Sequence, residues 1–411
     1  MIGTVSSKYA LRSLFRSPVR SLLSIIGVGV SCAMALFAAS WIRGGAEMQI
    51  RAASECGSGH LRIVPDEWTE KRLNSMRLAD WGQAIEGVNS IQNVRSVSMR
   101  ARANGLVAFG IRTSAVEVVG VNPEEEFKSN RVVYKSELHG RYLREDDINK
   151  VVIGHALAKR LDVDIDDDLY VTVSGRDEIQ SVMLTIVGIV KTGSRDIDAS
   201  ICHTTLTEIE RMTGYEGPGE ISVLLDSHKL IDSRQKELAQ KIGNGNTVIT
   251  WKEVNPALAA NVEGDTAFTK GLVAIIVIVA SLGIASAQLT AVLERKHEFA
   301  ILSALGMKVR QVIGLIVLEA LIVGIGGTVV ALMVGGSLAY YLATHGVSLA
   351  AVMGDNFSIG DVLLDPYMYG DFGIWLVWYA VGISVMSTVV ASLYPAWLTT
   401  RINPADALRT A

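Results

Sequence analysis

Residues 271–293 read GLVAIIVIVASLGIASAQLTAVL, a run without a charged side chain. A helix needs about 20 consecutive apolar residues to cross the core of a bilayer. Two further runs, 21–42 and 372–400, are also free of charge, and the stretch 311–354 is interrupted only by Glu319. The sequence therefore predicts four transmembrane helices.

The composition of the whole chain supports a membrane protein. Hydrophobic residues make up 49% of its 411 residues and charged residues 19%, and the mean hydropathy is +0.33. These values exclude an ordinary soluble enzyme, and 8 prolines with 3 cysteines exclude low-complexity and disulfide-scaffold classes. The first apolar run is longer than the core of a cleavable signal peptide, so we expect it to remain as an uncleaved anchor.

Basic residues lie on one side of the predicted helices. Segments 1–20, 294–310 and 401–411 together carry ten Lys and Arg residues, whereas 344–371 carries four Asp and neither Lys nor Arg. Because Lys and Arg concentrate in cytoplasmic loops, both termini are predicted to be cytoplasmic. The long segment between the first two helices has six more acidic than basic residues, which argues against a nucleic acid partner.

This topology defines the fold class: a membrane α-helical protein of four transmembrane helices, with a large extracytoplasmic α+β domain inserted between helices 1 and 2. The domain is predicted to be mixed because strand patterns (94–108, 114–121, 151–154, 169–173, 182–190 and 221–225) alternate with helical ones (78–88, 155–161 and 206–213). The predicted boundaries are 1–20 for a cytoplasmic amphipathic helix that leads into the membrane, 21–43, 271–293, 311–344 and 372–400 for the transmembrane helices, 44–270 for the extracytoplasmic (periplasmic) domain, 294–310 for a cytoplasmic helix, 345–371 for an outer loop and 401–411 for a cytoplasmic tail.

The outer domain has no residue pattern typical of a catalytic or metal site. The motifs of P-loop ATPases, zinc metalloproteases and serine hydrolases are absent, and the histidines lack metal-ligand spacing. We therefore expect a non-catalytic subunit that binds no cofactor or metal itself. The aspartate-rich run 162–168 lacks the glycine and glutamate of an EF-hand loop, which favours a solvated turn. Cys56 and Cys202 are predicted to face an oxidising compartment, where they either form a disulfide or remain separate thiols.

Small residues repeat every four positions in two of the predicted helices. They are Gly27, Ser31 and Ala35 in the first helix and Gly327, Ala331 and Gly335 in the third. Because small residues let helix backbones approach closely, we expect these faces to pack within the chain or against a second copy. Glu319 lies in the third helix, where a charge facing lipid is costly. We expect it to face protein or water, in a structural role or in a proton relay.

Residues 294–310 read ERKHEFAILSALGMKVR and connect the second and third helices. Their apolar residues fall in the middle and their charged residues toward the ends, and a glycine near the end acts as a helix stop. The residues that define this pattern are Glu294, Arg295, Lys296, Glu298, Phe299, Leu302, Leu305 and Gly306. Such a helix either rests on lipid head groups or fits a groove in a cytoplasmic partner.

This segment resembles the coupling-helix region of the MacB/FtsX superfamily of ABC transporter permeases. The similarity continues through Glu319-Ala-Leu in the next helix and through Tyr394-Pro395-Ala396 to NPADALR at 403–409. In the outer domain, 152–154 and 186–189 are most similar to the lipoprotein-releasing permeases LolC and LolE. The resemblance covers nearly the whole chain.

The resemblance implies a permease subunit in a bacterial inner (cytoplasmic) membrane. Its 294–310 residues would couple to a separate cytoplasmic ATPase dimer that binds ATP and Mg, and a second permease copy or a paralogue would complete the transporter. The cargo would be a lipoprotein or other amphiphile, extracted or moved at the outer face of the membrane. The alternatives are a MacB-like peptide or drug exporter and an FtsX-like regulator of a cell-wall hydrolase.

The chain departs from the family pattern at two places. Asp166 occupies a turn position where the family usually has glycine, and segment 174–181 is shorter than the hairpin with which LolC holds its soluble carrier. The second departure argues against binding of such a carrier.

Overall fold

The structure, a computed structural model, describes residues 18–71, 73–294, 297–298, 301, 307–349, 358–359 and 362–399. The chain forms two compact units. Of the described residues, those within 18–46, 264–347 and 369–399 form the helical unit, and those within 47–263 and 348–368 form the sheet unit. The segment predicted as a separate outer loop, 345–371, is thus divided, and most of its described residues belong to the sheet unit.

The described helices are, in chain order, α1 Pro18–Ala53, α2 Trp68–Lys71, α3 Trp81–Asn89, α4 Pro123–Ser129, α5 Arg131–Tyr134, α6 His155–Leu161, α7 Arg195–Ser200, α8 Leu206–Thr213, α9 Ile231–Ala239, α10 Trp251–Val254, α11 Pro256–Glu294, α12 Val309–His345 and α13 Trp375–Thr399. The described strands are β1 Leu61–Pro65, β2 Val94–Phe109, β3 Arg112–Val121, β4 Glu137–Gly140, β5 Lys150–Gly154, β6 Asp168–Ser174, β7 Ile179–Lys191, β8 Cys202–Thr205, β9 Glu220–Leu225, β10 Asn246–Thr250, β11 Val347–Ser348, β12 Ser358–Ile359, β13 Val362–Leu363 and β14 Tyr367–Met368.

Within the described part of the chain, α1, α11, α12 and α13 are long and apolar enough to cross a membrane, which agrees with the four predicted spans. Helices α1 and α11 both extend well beyond the apolar runs. Helix α11 begins at Pro256, and proline suits the first turn of a helix because its nitrogen has no proton to leave unpaired there.

The helical unit has an apolar core between its long helices, with Leu36 of α1, Val323 of α12 and Ala380 of α13 all buried. Hydroxyl groups add polar links between the helices. Ser384 Oγ donates to the carbonyl of Gly324 at 2.6 Å, which joins α13 to α12. Ser281 Oγ donates to the carbonyl of Ser387 at 3.3 Å, which joins α11 to α13. These bonds satisfy hydroxyl groups that lipid could not.

The sheet unit is organised around one sheet of ten described strands in the order β10-β1-β9-β2-β3-β8-β5-β7-β4. Strand β6 pairs with both β2 and β7, so the pairings β2-β3-β8-β5-β7-β6 close into a ring. Side chains from the ring and from α6 and α8 form the main core, among them Val107, Val118, Ile153, Val171 and Ile186. The long strand β2 belongs to both the ring and the open part of the sheet.

The predicted strands and helices of the outer domain are all confirmed, with shifts of a few residues at their ends. Strands β1, β4, β8 and β10 and the two-residue strands β11 to β14 were not predicted. Strand β1 is buried on both faces, so its sequence lacks the polar alternation by which a half-exposed strand is recognised. Asp166 has a φ of 71°, the left-handed conformation that glycine adopts most easily. Residues 175–178 form a short turn between β6 and β7.

Candidate functional site

The segment 294–310, predicted to be cytoplasmic, is described only in part. Glu294 ends α11, and Glu298 is helical and half-buried. Six of the predicted coupling residues lie outside the described residues: Arg295, Lys296, Phe299, Leu302, Leu305 and Gly306. On either side of the segment, Val292 of α11 and Val312 of α12 are buried in one apolar cluster with Ala396 of α13. The two ends of the segment are therefore held by packed helices.

The predicted small-residue face of the third helix lies against the first helix. Gly327, Ala331 and Gly335 of α12 are all buried. A Cβ added at Gly327 would lie 2.5 Å from Val28 Cγ1, and one added at Gly335 would lie 2.7 Å from Ala33 Cα. These distances are too short for any side chain, so α1 and α12 approach closely because both positions are glycine.

The predicted face of the first helix is placed differently. Ala35 is buried and Ser31 is half-buried, but Gly27 is exposed with no atom near its missing Cβ. The contact runs instead through Val28 and Gly29, so Gly27 does not take part in the packing of α1 on α12, and its contact with a second copy stays a prediction. Residues four apart advance by about 40° beyond a full turn of the helix. A stripe with that spacing therefore rotates away from a neighbouring helix over three steps.

The other candidate residues are placed without forming a recognisable chemical site. Glu319 is half-buried in α12. Cys56 and Cys202 are free thiols, and Cys202 is fully buried in the core of the ring. The aspartate-rich run forms the turn between α6 and β6. Among the residues that the structure describes, none cluster as ligands for a metal ion.

The most elaborate polar arrangement in the sheet unit surrounds residues 54–58, which we call the outer turn. Here the chain leaves α1 through a kink at Gly57, whose φ is 94°. The Gly57 carbonyl accepts hydrogen bonds from Arg100 Nη1, from Arg62 Nη2 at 3.3 Å and from Ser222 Oγ at 3.3 Å. A Cβ at Gly57 would lie 2.8 Å from Arg100 Nη1. Only glycine combines this backbone conformation with so close an approach of the guanidinium.

A second chain connection, between the domain and α11, reaches the same turn. Asn255, the residue before α11, donates from Nδ2 to Ser58 Oγ at 3.0 Å. Close by, the backbone N–H of Trp251 donates to the carbonyl of His60 at 3.2 Å. The chain therefore enters and leaves the domain through neighbouring, hydrogen-bonded residues.

A third connection arrives from the segment between α12 and α13. We call residues 362–365 the strap. Cys56 Sγ donates to the carbonyl of Leu363 at 3.8 Å, and the Leu363 side chain is buried among sheet-unit residues. Asp365 accepts two hydrogen bonds from Arg131, one of them 2.8 Å from Nη1, and lies 3.3 Å from Lys135 Nζ. The connections to all four long helices thus meet at the outer turn.

Behind the turn, arginines of β1 and β2 pair with glutamates of β9 and α4. Arg62 Nη1 lies 3.0 Å from Glu220 Oε2, and Arg102 Nε lies 3.1 Å from Glu220 Oε1. Arg100 Nε lies 2.8 Å from Glu126 Oε2. These side chains line a cavity of about 240 Å³ that also reaches the outer turn. Buried charges of this kind are tolerated only when they are paired.

The pKa values of the buried groups reflect this pairing. Burial alone would raise the pKa of Glu220, but Arg102 and Arg62 outweigh it and lower that pKa to about 2. Burial lowers the pKa of Arg62 to about 10, against the opposing effect of Glu220. Burial also lowers the pKa of His203 to about 4, although Glu126 opposes the shift. Glu220 and Arg62 are therefore charged at neutral pH, and His203 is neutral.

Sequence reasoning missed this junction of the outer turn, Asn255 and the strap. Arg100 and Arg102 alternate with alanines in β2, and Glu117 alternates with valines in β3, which is also the pattern of a strand with one solvated face. The available signal was the kink glycine Gly57 directly after a long apolar helix. Nothing in the sequence connects it to Asp365, which lies about 300 residues further along the chain.

Comparison with known proteins gives two family matches. The FtsX-like permease C-terminal model matches residues 271–404, and the MacB-like periplasmic core domain model matches residues 21–241. Together they cover most of the chain.

Whole-length relatives are similar at low identity. An uncharacterised ABC transporter permease of Methanocaldococcus jannaschii is 24% identical, with 98% of this chain and 96% of the relative covered. The lipoprotein-releasing system transmembrane protein LolC of Xylella fastidiosa is 20% identical, with 95% and 93% covered. The macrolide export ATP-binding/permease protein MacB of Bdellovibrio bacteriovorus is 22% identical, with 97% of this chain but 60% of the relative covered.

Proposed function

Because the chain belongs to the MacB/FtsX superfamily of ABC transporter permeases, we propose that it converts ATP hydrolysis by a separate ATPase dimer into movement of its outer domain. The ATPase binds ATP and Mg in the cytoplasm, and a second copy of the chain or a paralogue completes the transporter. The domain is extracytoplasmic and inserted between membrane helices 1 and 2, and both termini are cytoplasmic.

The observation that carries this proposal is the convergence of chain connections at the outer turn. A domain on a flexible linker would absorb the displacement of a helix. Here α1 is continuous to Ala53 and the turn that follows is bonded through Gly57 to two arginines of the sheet. Asn255 and Asp365 bring the other connections to the same place. Each connection thus enters the sheet unit at a hydrogen-bonded residue, which suits a domain that responds to force applied to its connections.

The ATPase would act on the chain through the segment 294–310, for which the sequence predicts a cytoplasmic helix. Its apolar centre suits a groove in the ATPase, and the apolar cluster that contains Val292 and Val312 supports the passing of its motion to α11 and α12. A bound nucleotide shifts the outer domain only if the contacts differ between two states of the transporter. The role of 294–310 is to make contacts with the ATPase that differ between these two states.

We propose a lipoprotein or other amphiphile as the cargo, taken up from the outer face of the membrane. The relatives include both lipoprotein-releasing and macrolide-export proteins, so export of a peptide or drug is the competing outcome. Regulation of a cell-wall hydrolase is the other competing outcome.

Purification of the full chain from its native membrane tests the proposal. Mass spectrometry of the complex should identify an ATPase together with a lipoprotein or a lipid-like molecule. An outer-membrane channel or a hydrolase in place of that cargo would favour one of the competing outcomes. A complex without any ATPase would overturn the proposal.

The 294–310 helix is tested with charge reversals at Arg295 and Glu298, and separately with Leu305→Asp. The amount of ATPase that copurifies with each variant should fall by at least about tenfold, because the groove contact is lost. Insertion of the variants into the membrane should stay normal. Lys128→Glu is the matched control, since Lys128 is an exposed residue of the sheet unit with a 73% exposed side chain. Equal ATPase recovery in all variants would contradict the role of the helix.

The topology is tested with Asp361→Cys. This cysteine should react with a membrane-impermeant maleimide in intact spheroplasts, and the modified peptide should be identified by mass spectrometry. Labelling only after lysis would reverse the assigned orientation.

A further inference from the structure

Arg131 is the residue through which the strap and the outer turn meet. Its side chain is only 3% exposed. On one side Nη1 and Nη2 both donate to Asp365 of the strap. On the other side Nη1 lies 4.0 Å from Glu55 Oε2 of the outer turn. One buried guanidinium is therefore flanked by two carboxylates that belong to different connections of the chain.

The two carboxylates are held in different ways. Asp365 is bonded by Arg131 and Lys135, and both arginine bonds depend on the strap being in place. Glu55 is fixed from behind, because its Oε1 accepts a hydrogen bond from Arg95 Nη1 at 3.2 Å. The Glu55 carboxylate would therefore stay close to Arg131 after the strap had moved away.

The docked arrangement leaves Arg131 incompletely bonded. Its Nε is buried and has no hydrogen-bond partner among the described residues. A buried N–H without an acceptor destabilises the state that contains it. Since Glu55 Oε2 lies 4.0 Å from Nη1, a small rotation of the guanidinium would bring that nitrogen within bonding distance of a second carboxylate.

We propose that Arg131 acts as a switch, which pairs with Asp365 when the strap is docked and with Glu55 when the strap is released. Burial of a charge without a partner would make release prohibitive, and Glu55 removes that obstacle. The apolar side chains Val362, Leu363 and Leu364, all buried, keep the docked state the more populated one. The strap is thereby a reversible attachment between the α12–α13 connection and the outer turn, rather than a fixed one.

Hydrogen–deuterium exchange of a peptide that covers 362–368 tests the switch in the full chain reconstituted in lipid nanodiscs. Asp365→Asn removes the docked pair and should accelerate exchange by about tenfold or more. Glu55→Gln removes the substitute partner of the released state, so it should slow exchange by about threefold or more. The matched control is Glu137→Gln, which removes an exposed ion pair with Lys191 on another strand pair and should change nothing in this peptide.

The Glu55 variant decides between a switch and a static network. If Glu55 only braces Arg131 in the docked state, Glu55→Gln accelerates exchange and the proposal is overturned. It is equally overturned if Glu55→Gln leaves exchange unchanged while Asp365→Asn accelerates it. Neither the cargo nor the ATPase enters this measurement, so its failure would leave the proposed transport function standing.

Discussion

Replacing Gly57 with alanine tests whether the outer turn is held as tightly as its contacts indicate. The new Cβ would lie 2.8 Å from Arg100 Nη1 and 3.0 Å from Nη2, so the guanidinium must move. Alanine at a φ of 94° costs about 1–2 kcal/mol in backbone strain. Loss of one hydrogen bond from a charged donor costs about 1.5–3 kcal/mol more. We therefore expect Gly57→Ala to lower the free energy of unfolding of the sheet unit by about 3–5 kcal/mol.

The matched control is Gly110→Ala, at the turn between β2 and β3. Gly110 also has a positive φ, 56°, but no atom lies within 4 Å of its missing Cβ. This variant has only the backbone cost of about 1–2 kcal/mol. The difference of about 2 kcal/mol corresponds to roughly thirtyfold in an equilibrium constant.

Hydrogen exchange of β1 amides in the detergent-solubilised full chain measures both variants under conditions where exchange reports the opening equilibrium. Gly57→Ala should raise the corrected exchange rates of the amides of residues 61–64 by about a hundredfold or more, and Gly110→Ala by about tenfold. If the two variants have the same effect, the arginine bonds at Gly57 contribute nothing measurable, and the account of the outer turn as a rigid connection is refuted.

Three further predictions concern other contacts. Glu220→Gln leaves a buried arginine without its charged partner. It should therefore lower the free energy of unfolding of the sheet unit by about 3–5 kcal/mol, measured by urea titration of the full chain. An unchanged urea midpoint would show that the ion pair contributes little to stability. Burial lowers the pKa of His60 to about 4 from its ordinary 6.5. Neutral His60 therefore contributes fully to the free energy of unfolding above pH 6.5. As the pH falls toward 4, this free energy decreases by up to about 3 kcal/mol, because the unfolded state binds the proton more tightly than the folded state. The Leu225 amide, which donates to His60 Nδ1, should lose protection over that range after correction for intrinsic exchange, and constant protection would count against a neutral His60. Gly335→Leu should lower the melting temperature of the solubilised chain by at least about 5 °C, because the new leucine side chain would collide with the α1 backbone. The control is Gly336→Leu, where the new side chain enters open space, and it should shift the melting temperature by less than about 2 °C.

The buried arginine–glutamate row has a consequence for how the domain folds. Pairs such as Arg62–Glu220 add little net stability compared with apolar residues of the same size, because both charges lose their hydration. Removing one partner is nevertheless costly. Another register of β1, β9 and β2 would separate the partners and leave charges buried without a counterion. The ion pairs therefore favour one register of these strands, and they hold the outer turn against that arrangement of the sheet.

Much of the fold was predictable from local sequence. The spans follow from runs such as 271–293, because an apolar run of this length has no stable place in water. Strands such as 114–121 and helices such as 155–161 follow from the period of their apolar residues. Strand β1 was missed because burial on both faces removes that period. The place of Gly27 outside the α1–α12 contact could not be predicted, because a repeat of four residues does not specify the angle at which a helix meets its neighbour.

The sequence by itself thus determined the number of membrane helices, the mixed character of the outer domain and the family resemblance, since each depends on residues that are neighbours along the chain. Only the tertiary structure decided that Gly57, Asn255 and Asp365 form one junction, and that Arg131 lies between two carboxylates. From sequence alone, polar side chains on a strand or loop are predicted to face solvent. Only the strand pairing shows which of them are covered by other parts of the chain. Strand register and chain crossing bring these residues together across hundreds of positions, and no local pattern records either.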